Sequence, residues 1–358
     1  MISLAQLRGS IKKKPKGRSS SCNRLWTGQP NRTSMQRFDL FHTGVCRIFM
    51  ELCDMKEVCR IALPGNWITA KVFEQILQRS QKCLVQNDMP LIVIFHKRCK
   101  VMVDAAARLL SLANQLTSRN RPVTFAFDGI WNEAMGYLAR INFFNLLSEQ
   151  VKVVPELPDA TIISHHQNNN RNLVEFISIH PREQEAMLAV PRKLTDALIL
   201  AMEAHPDIQR LRHTAFTIFA ELIDNIYNHS LTTLDGFVGL QVYRAGGEVQ
   251  VVVSDSGVGL IQTARPKLPS NERMKNDIEL VAMIFREGVP WDGDKRGLGL
   301  KQCAAKAIKL NARVNVRLAN FNLELTPTER GYQVSEKECS WNLPLLQGTH
   351  ICFYFRLT

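Results

Sequence analysis

Residues 221–230 read ELIDNIYNHS. Through this stretch Phe216, Ile218, Phe219, Leu222, Ile223 and Ile226 recur at helical spacing and form an apolar stripe. Glu221, Asn225 and His229 recur every fourth residue on another face, so they stack in one polar column. An acid, an amide and an imidazole in a row are unusual on a helix that otherwise reads as core. A solvated row is the simplest account, and the surrounding sequence argues against it.

Outward from this helix, expected over 207–229, a shorter helix is expected over 192–204 and a hairpin over 236–259. Val238, Leu240 and Val242 alternate on the first strand, Val249, Val251 and Val253 on the second, and AGGE forms the turn. The second strand runs into Asp255-Ser256-Gly257-Val258-Gly259. Such a carboxylate at a strand end, beside glycine backbone, can accept the exocyclic amine of an adenine. Helical patches follow over 276–288, and Arg296-Gly297-Leu298-Gly299-Leu300 then opens a helix over 297–310. Free N–H groups at a helix start suit an anion, and Lys295, Arg296 and Lys301 add charge suited to phosphates. The preceding GVPWDGDK has the glycines and proline of a mobile lid. The chain from Arg313 is strand-rich, and Gly348-Thr349 starts the last strand, where a hydroxyl could help hold a base.

The first half alternates strands and helices. A helix is expected over 66–86, a strand at PLIVIF (90–95), a helix over 103–120, a strand at PVTFAF (122–127) and a helix over 136–147. This pattern predicts a small α/β domain with a partly parallel sheet. The polar run HHQNNNRN lies within 156–189, which reads as a linker.

The net charge of +12 is concentrated at the start of the chain, where residues 1–38 hold nine Lys or Arg and no Asp or Glu. The remainder has 36 basic against 33 acidic residues, so the basic character belongs to a tail expected to be disordered rather than to a folded face. Met35 and Met50 are alternative starts. Nucleic-acid contact is expected only through that tail. The nine cysteines form no Cys-x-x-Cys pair and no zinc-type cluster, so they are read as reduced thiols in a cytoplasm. No apolar run approaches the roughly 18 residues of a membrane helix.

Glu221 and Asn225 on a helix, then the hairpin with Asp255, Gly257 and Gly259, then Gly297 and Gly299, then Gly348 and Thr349 together resemble the GHKL superfamily of Bergerat-fold ATP-binding domains. The resemblance covers about 190–358. It implies a two-layer α/β sandwich with a mixed sheet on one side and helices on the other. It implies ATP and Mg²⁺ as ligands. Asn225 would hold the metal, Glu221 would be the base, and Asp255 would read adenine while Gly257 and Gly259 let the base approach. Arg296, Gly297, Leu298, Gly299 and Leu300 would wrap the phosphates, and Thr349 would support the base. His229 matches a histidine of the anti-sigma-factor kinase branch and stands as a ligand contact or a packing residue. None of the nine histidines has the context of a histidine-kinase phosphoacceptor.

Residues 90–127 resemble a STAS domain, placed within 39–155. Asp104-Ala105-Ala106-Ala107 stands where that family carries a phosphorylatable serine, which argues for a docking or dimerising module. Together the resemblances imply a bacterial-type signalling ATPase or serine kinase acting through protein partners, such as a STAS or sigma-factor-like regulator, and able to form a homodimer. The alternative is a nucleotide-responsive interaction module without catalysis. A nucleic-acid-associated ATPase is the third reading.

Overall fold

The computed structural model describes residues 58–86, 89–129, 132–157, 171–180, 188–287, 299–329 and 331–357. The first half runs β1 (Cys59–Leu63), β2 (Trp67–Ile68), α1 (Ala70–Arg79), β3 (Leu91–Phe95), β4 (Lys100–Val101), α2 (Val103–Thr117), β5 (Val123–Phe127), α3 (Glu133–Arg140) and β6 (Lys152–Val154). Strands β1, β3, β5 and β6 pair in that order, every pair parallel, and β2 pairs with β4 apart from them. Parallel neighbours need crossovers, and sequential right-handed crossovers put the helices on one face. Helix residues Phe73, Leu77, Leu109, Ala134 and Leu138 accordingly share one core with Val93, Phe95 and Phe125. Thr69 caps α1 by accepting from Val72 N at 3.2 Å, and Asn132 caps α3 by accepting from Met135 N at 2.8 Å. The helix expected over 136–147 is two pieces, α3 and a turn at Phe143–Leu146, because Asn142 sits between them at φ 65°.

The second half runs β7 (Leu173–Ile179), α4 (Ala189–Ala201), α5 (Ile208–His229), β8 (Gly236–Tyr243), β9 (Glu248–Ser254), α6 (Asp277–Glu287), α7 (Gly299–Lys309), β10 (Arg313–Leu318), β11 (Phe321–Thr328), β12 (Gly331–Val334) and β13 (Thr349–Arg356). Seven strands pair in the order β12-β11-β10-β13-β9-β8-β7. The expected mixed sheet is instead antiparallel in every described pairing. The turns joining β8 to β9, β10 to β11 and β11 to β12 are too short for a crossover. The segment 156–189, expected as a linker, supplies β7, the edge strand paired to β8. Val174, Phe176 and Ile179 are its buried side chains, and the polar run beside it masked this short pattern.

Helices α4, α5, α6 and α7 cover one face of the antiparallel sheet, against Val238, Leu240, Val251, Val253, Ile351 and Phe353. The second face, expected to be free of helices, carries Phe237, Val252, Cys352 and Tyr354, which pack into the core of the first half. Helix α2 therefore lies between the two sheets, and every residue of it except Asn114 is buried. All described residues belong to one unit spanning 42–358. No described helix is long and apolar enough to cross a membrane.

Buried charge crosses this junction. Glu74 of α1 accepts from Arg108 Nη1 of α2 at 2.7 Å, and its other oxygen lies 3.0 Å from Arg317 Nε of β10. Arg108 also donates to Asn315, which in turn donates to Glu324 at 3.0 Å. At the start of α2, Asp104 accepts from Tyr354 Oη of β13 at 2.9 Å and from Ala70 N at 3.2 Å. The Asp104–Ala107 run is thus enclosed rather than presented at a surface.

The cysteines depart from the expected set of reduced thiols, since Cys59 and Cys83 form a disulfide with Cα atoms 5.2 Å apart. The fold returns Cys83 to β1, a proximity that spacing along the chain cannot show. Cys99, Cys303, Cys339 and Cys352 are free.

Candidate functional site

Strands β9 and β13 run side by side, with Ser254 opposite His350. This register sets Asp255, one residue past the end of β9, beside Thr349 at the start of β13. The Asp255 N–H donates to the Thr349 carbonyl at 3.0 Å, and Thr349 N donates back to Asp255 Oδ2 at 3.2 Å. Gly257 N donates to Asp255 Oδ1 at 2.8 Å. Thr349 Oγ1 accepts from Leu260 N at 3.0 Å. The carboxylate is therefore aimed by two backbone donors, one in the loop after β9 and one at the start of β13. Withdrawal from water pushes its pKa up to about 6, with the Gly257 and Thr349 donors acting in the opposite direction.

The glycines make this closeness possible in ways the sequence did not indicate. A Cβ on Gly257 would lie 1.9 Å from the Ser230 carbonyl oxygen. That position faces the end of α5 rather than open space for a base, and Val258 N donates to the same carbonyl at 2.9 Å. A Cβ on Gly348, at φ 94°, would lie 2.0 Å from the Asp255 carbonyl oxygen. Gly259, at φ 85°, turns the chain toward the helical turn Leu260–Ala264.

Helix α5 supplies the polar column. Asn225 lines a crevice with Leu222, Val253, Asp255, Gly259, Leu300, Thr349 and Ile351. Glu221 lies one turn back, against the start of α7. A Cβ on Gly299 would lie 2.4 Å from Glu221 Oε2. Burial pushes the Glu221 carboxyl up, Asp224 adds to the rise, and Lys306 of α7 opposes it. A raised carboxyl is a better proton acceptor near neutral pH. The His229 side chain, and Arg296, Gly297 and Leu298 with the lid segment, lie outside the described residues.

The crevice has a volume of about 50 Å³. Ligand pockets usually measure about 300–1,000 Å³, so the crevice as it stands is smaller than a nucleotide site. A larger cleft of about 650 Å³ lies between Trp67, Lys100, Tyr137, Arg140, Leu173 and Tyr243. It contains none of the residues singled out by the sequence motifs. Among the described residues no group of three or more His, Cys, Asp or Glu could hold a metal ion. A hard cation here would need ligand oxygens and water beside the Asn225 amide oxygen.

The sequence did not point to Leu222, Leu260, Thr263 and Ile351, which line the crevice as ordinary apolar or small positions. It also did not point to Lys306, whose charge faces Glu221 across two helices. Comparison of the sequence with models of protein families finds no match. Comparison with curated proteins finds none either.

Proposed function

We propose that the chain is an ATP-binding regulatory protein whose nucleotide site is the crevice between α5, the end of β9, the start of β13 and the start of α7. What supports this reading is one convergence. Asn225, Asp255 with Gly259, Leu300 and Thr349 come from four separate segments of the chain, yet they line a single crevice with Glu221 alongside. In this reading Asp255 accepts the exocyclic amine of adenine, and Thr349 holds the Asp255 loop in register. Asn225 offers its amide oxygen to Mg²⁺, which would neutralise phosphate charge. Glu221 takes the proton of a water or of a partner's serine as the γ-phosphoryl group is transferred. Opening and closing of α7 would couple nucleotide binding to contacts with a protein partner.

The same residues serve a second reading, in which the chain binds nucleotide without turnover and acts through contact alone. Titration with ATP in the presence and absence of Mg²⁺ tests the binding common to both. Asn225→Ala is expected to remove the Mg²⁺-dependent part of the affinity, about tenfold or more, while the Mg²⁺-free affinity stays near that of the native chain. Equal losses with and without Mg²⁺ would exclude the metal role.

Glu221→Gln separates turnover from binding. The amide keeps the size of the side chain beside Gly299 and removes the proton acceptor, so the fold is expected to survive. ATP turnover should fall about 100-fold or more, as expected for a lost general base, with a smaller change in ATP affinity. Unchanged turnover would remove Glu221 from the chemistry.

A further inference from the structure

Helix α2 belongs to the first half of the chain, yet its last two turns reach the residues on either side of the Asp255–Thr349 pair. Gln115 Nε2 donates to Ser256 Oγ and to the Gln347 carbonyl, each at 2.9 Å. Gln115 Oε1 accepts from Gln347 N at 2.9 Å. One side-chain amide thus fastens the loop after Asp255 to the loop before Thr349. One turn earlier, Ser111 Oγ lies 3.3 Å from Ser254 Oγ. Ser254 is hydrogen-bonded to His350 Nδ1, and His350 Nε2 lies 2.9 Å from the Gln347 carbonyl. A carbonyl only accepts, so Nε2 carries the proton and Nδ1 accepts from the Ser254 hydroxyl. Burial and the nearby Arg108 and Arg317 hold His350 well below its usual pKa, consistent with a neutral ring.

The contacts close into a ring through Ser111, Ser254, His350, Gln347 and Gln115. Gln115, Ser111, Ser254, Ser256 and His350 are all buried. Buried polar networks with their partners satisfied are rigid. This one grips Ser254 and Ser256 around Asp255, and Gln347 and His350 around Thr349.

We infer that Gln115 is a positioning residue for nucleotide recognition, setting the separation of Asp255 and Thr349 from the opposite side of the sheet. The inference takes its ligand from the ATP reading above, but its geometry does not depend on that reading. It also gives the first half of the chain a role at the site. A partner or ligand that shifts α2 against the antiparallel sheet would move Gln115, and through it the carboxylate that reads the base.

Two variants and two measurements test this. Gln115→Met keeps the side-chain volume and removes the amide, and Ser256→Ala removes a single contact should the first variant fold poorly. In unliganded protein, amide hydrogen exchange of Gly257 and Thr349, the two donors to Asp255, is expected to quicken about tenfold or more in Gln115→Met and by less in Ser256→Ala. Exchange in α4 and β12 should stay unchanged, because local opening is read segment by segment. Guanine carries a carbonyl where adenine carries its amine, so the preference for ATP over GTP should narrow about tenfold in Gln115→Met. Unchanged exchange at both amides overturns the clamp, and faster exchange with an unaltered ATP/GTP ratio overturns its role in recognition. If the native chain binds no ATP, the function proposed above fails, and the exchange measurement still decides whether Gln115 holds the pair.

Discussion

Replacing Glu74 by alanine is expected to cost about 3–5 kcal/mol of folding free energy. Among the described residues Glu74 is the carboxylate in contact with both Arg108 and Arg317, and all three side chains are almost fully withdrawn from water. Arg317 has further acceptors in the carbonyls of Leu318, Ala319 and Pro344 at 2.9, 2.7 and 2.6 Å. Among the described residues Arg108 keeps the Asn315 amide oxygen and the Asp104 carboxyl one turn earlier once Glu74 is gone. Deleting the carboxylate leaves two buried cations close together without the counter-charge they share. That is more costly than the loss of an exposed pair such as Lys71–Glu338, which is worth about 1 kcal/mol or less. Urea unfolding of Glu74→Ala beside Glu338→Ala measures the contrast. A cost for Glu74→Ala as small as that for Glu338→Ala would mean that water reaches the guanidinium groups and that the two halves are not joined by dry charge.

Asp255→Asn is expected to weaken ATP binding about 100-fold, the equivalent of about 3 kcal/mol for a hydrogen bond to a charged group. The amide is nearly the same size, but it can turn an NH₂ toward the adenine amine and present a donor to a donor. It also loses the charge that the Gly257 and Thr349 donors are arranged to meet. The native pKa of about 6 adds a pH signature. ATP affinity should fall as pH drops through about 6, because protonation removes the charged acceptor, and Asp255→Asn should be flat over that range. Stability of the unliganded fold moves the other way. The folded pKa lies above the 3.8 of an ordinary aspartate, so the unfolded chain releases its proton first, and this group's contribution declines as pH rises from about 4 to about 6. Native-like ATP affinity in Asp255→Asn would remove the residue from base recognition.

The local parts of this architecture were legible in the sequence, and the parts made by distant residues were not. The stripe from Phe216 to Ile226 and the alternation from Val238 to Val253 depend on residues a few positions apart, and α5, β8 and β9 follow them closely. Asp255 and Thr349 could be placed at strand ends because glycine marks both turns. Strand β7 was hidden in a segment judged by its polar neighbours, and β6 spans only three residues. The sandwiching of α2 left one sign that could have been weighed. Its only charged residues, Asp104 and Arg108, lie among residues that are apolar nearly all round, the composition of a helix without a solvent face. Gln115 gave no such sign, because its partners Ser256 and Gln347 lie in the other half of the chain.

Burial of α2 between the sheets also bears on how the chain is made. Asp104 is 250 residues from Tyr354, Gln115 is 232 from Gln347, and Arg108 is 207 from Asn315. At roughly 5–20 residues per second of synthesis, α2 leaves the ribosome roughly 10–50 s before the strands that cover its second face. Throughout that interval the parallel sheet can form and cover one side of the helix, while Asp104 and Arg108 wait beside apolar surface that nothing yet shields. The nascent first half therefore carries a helix with one uncovered apolar face for much of translation.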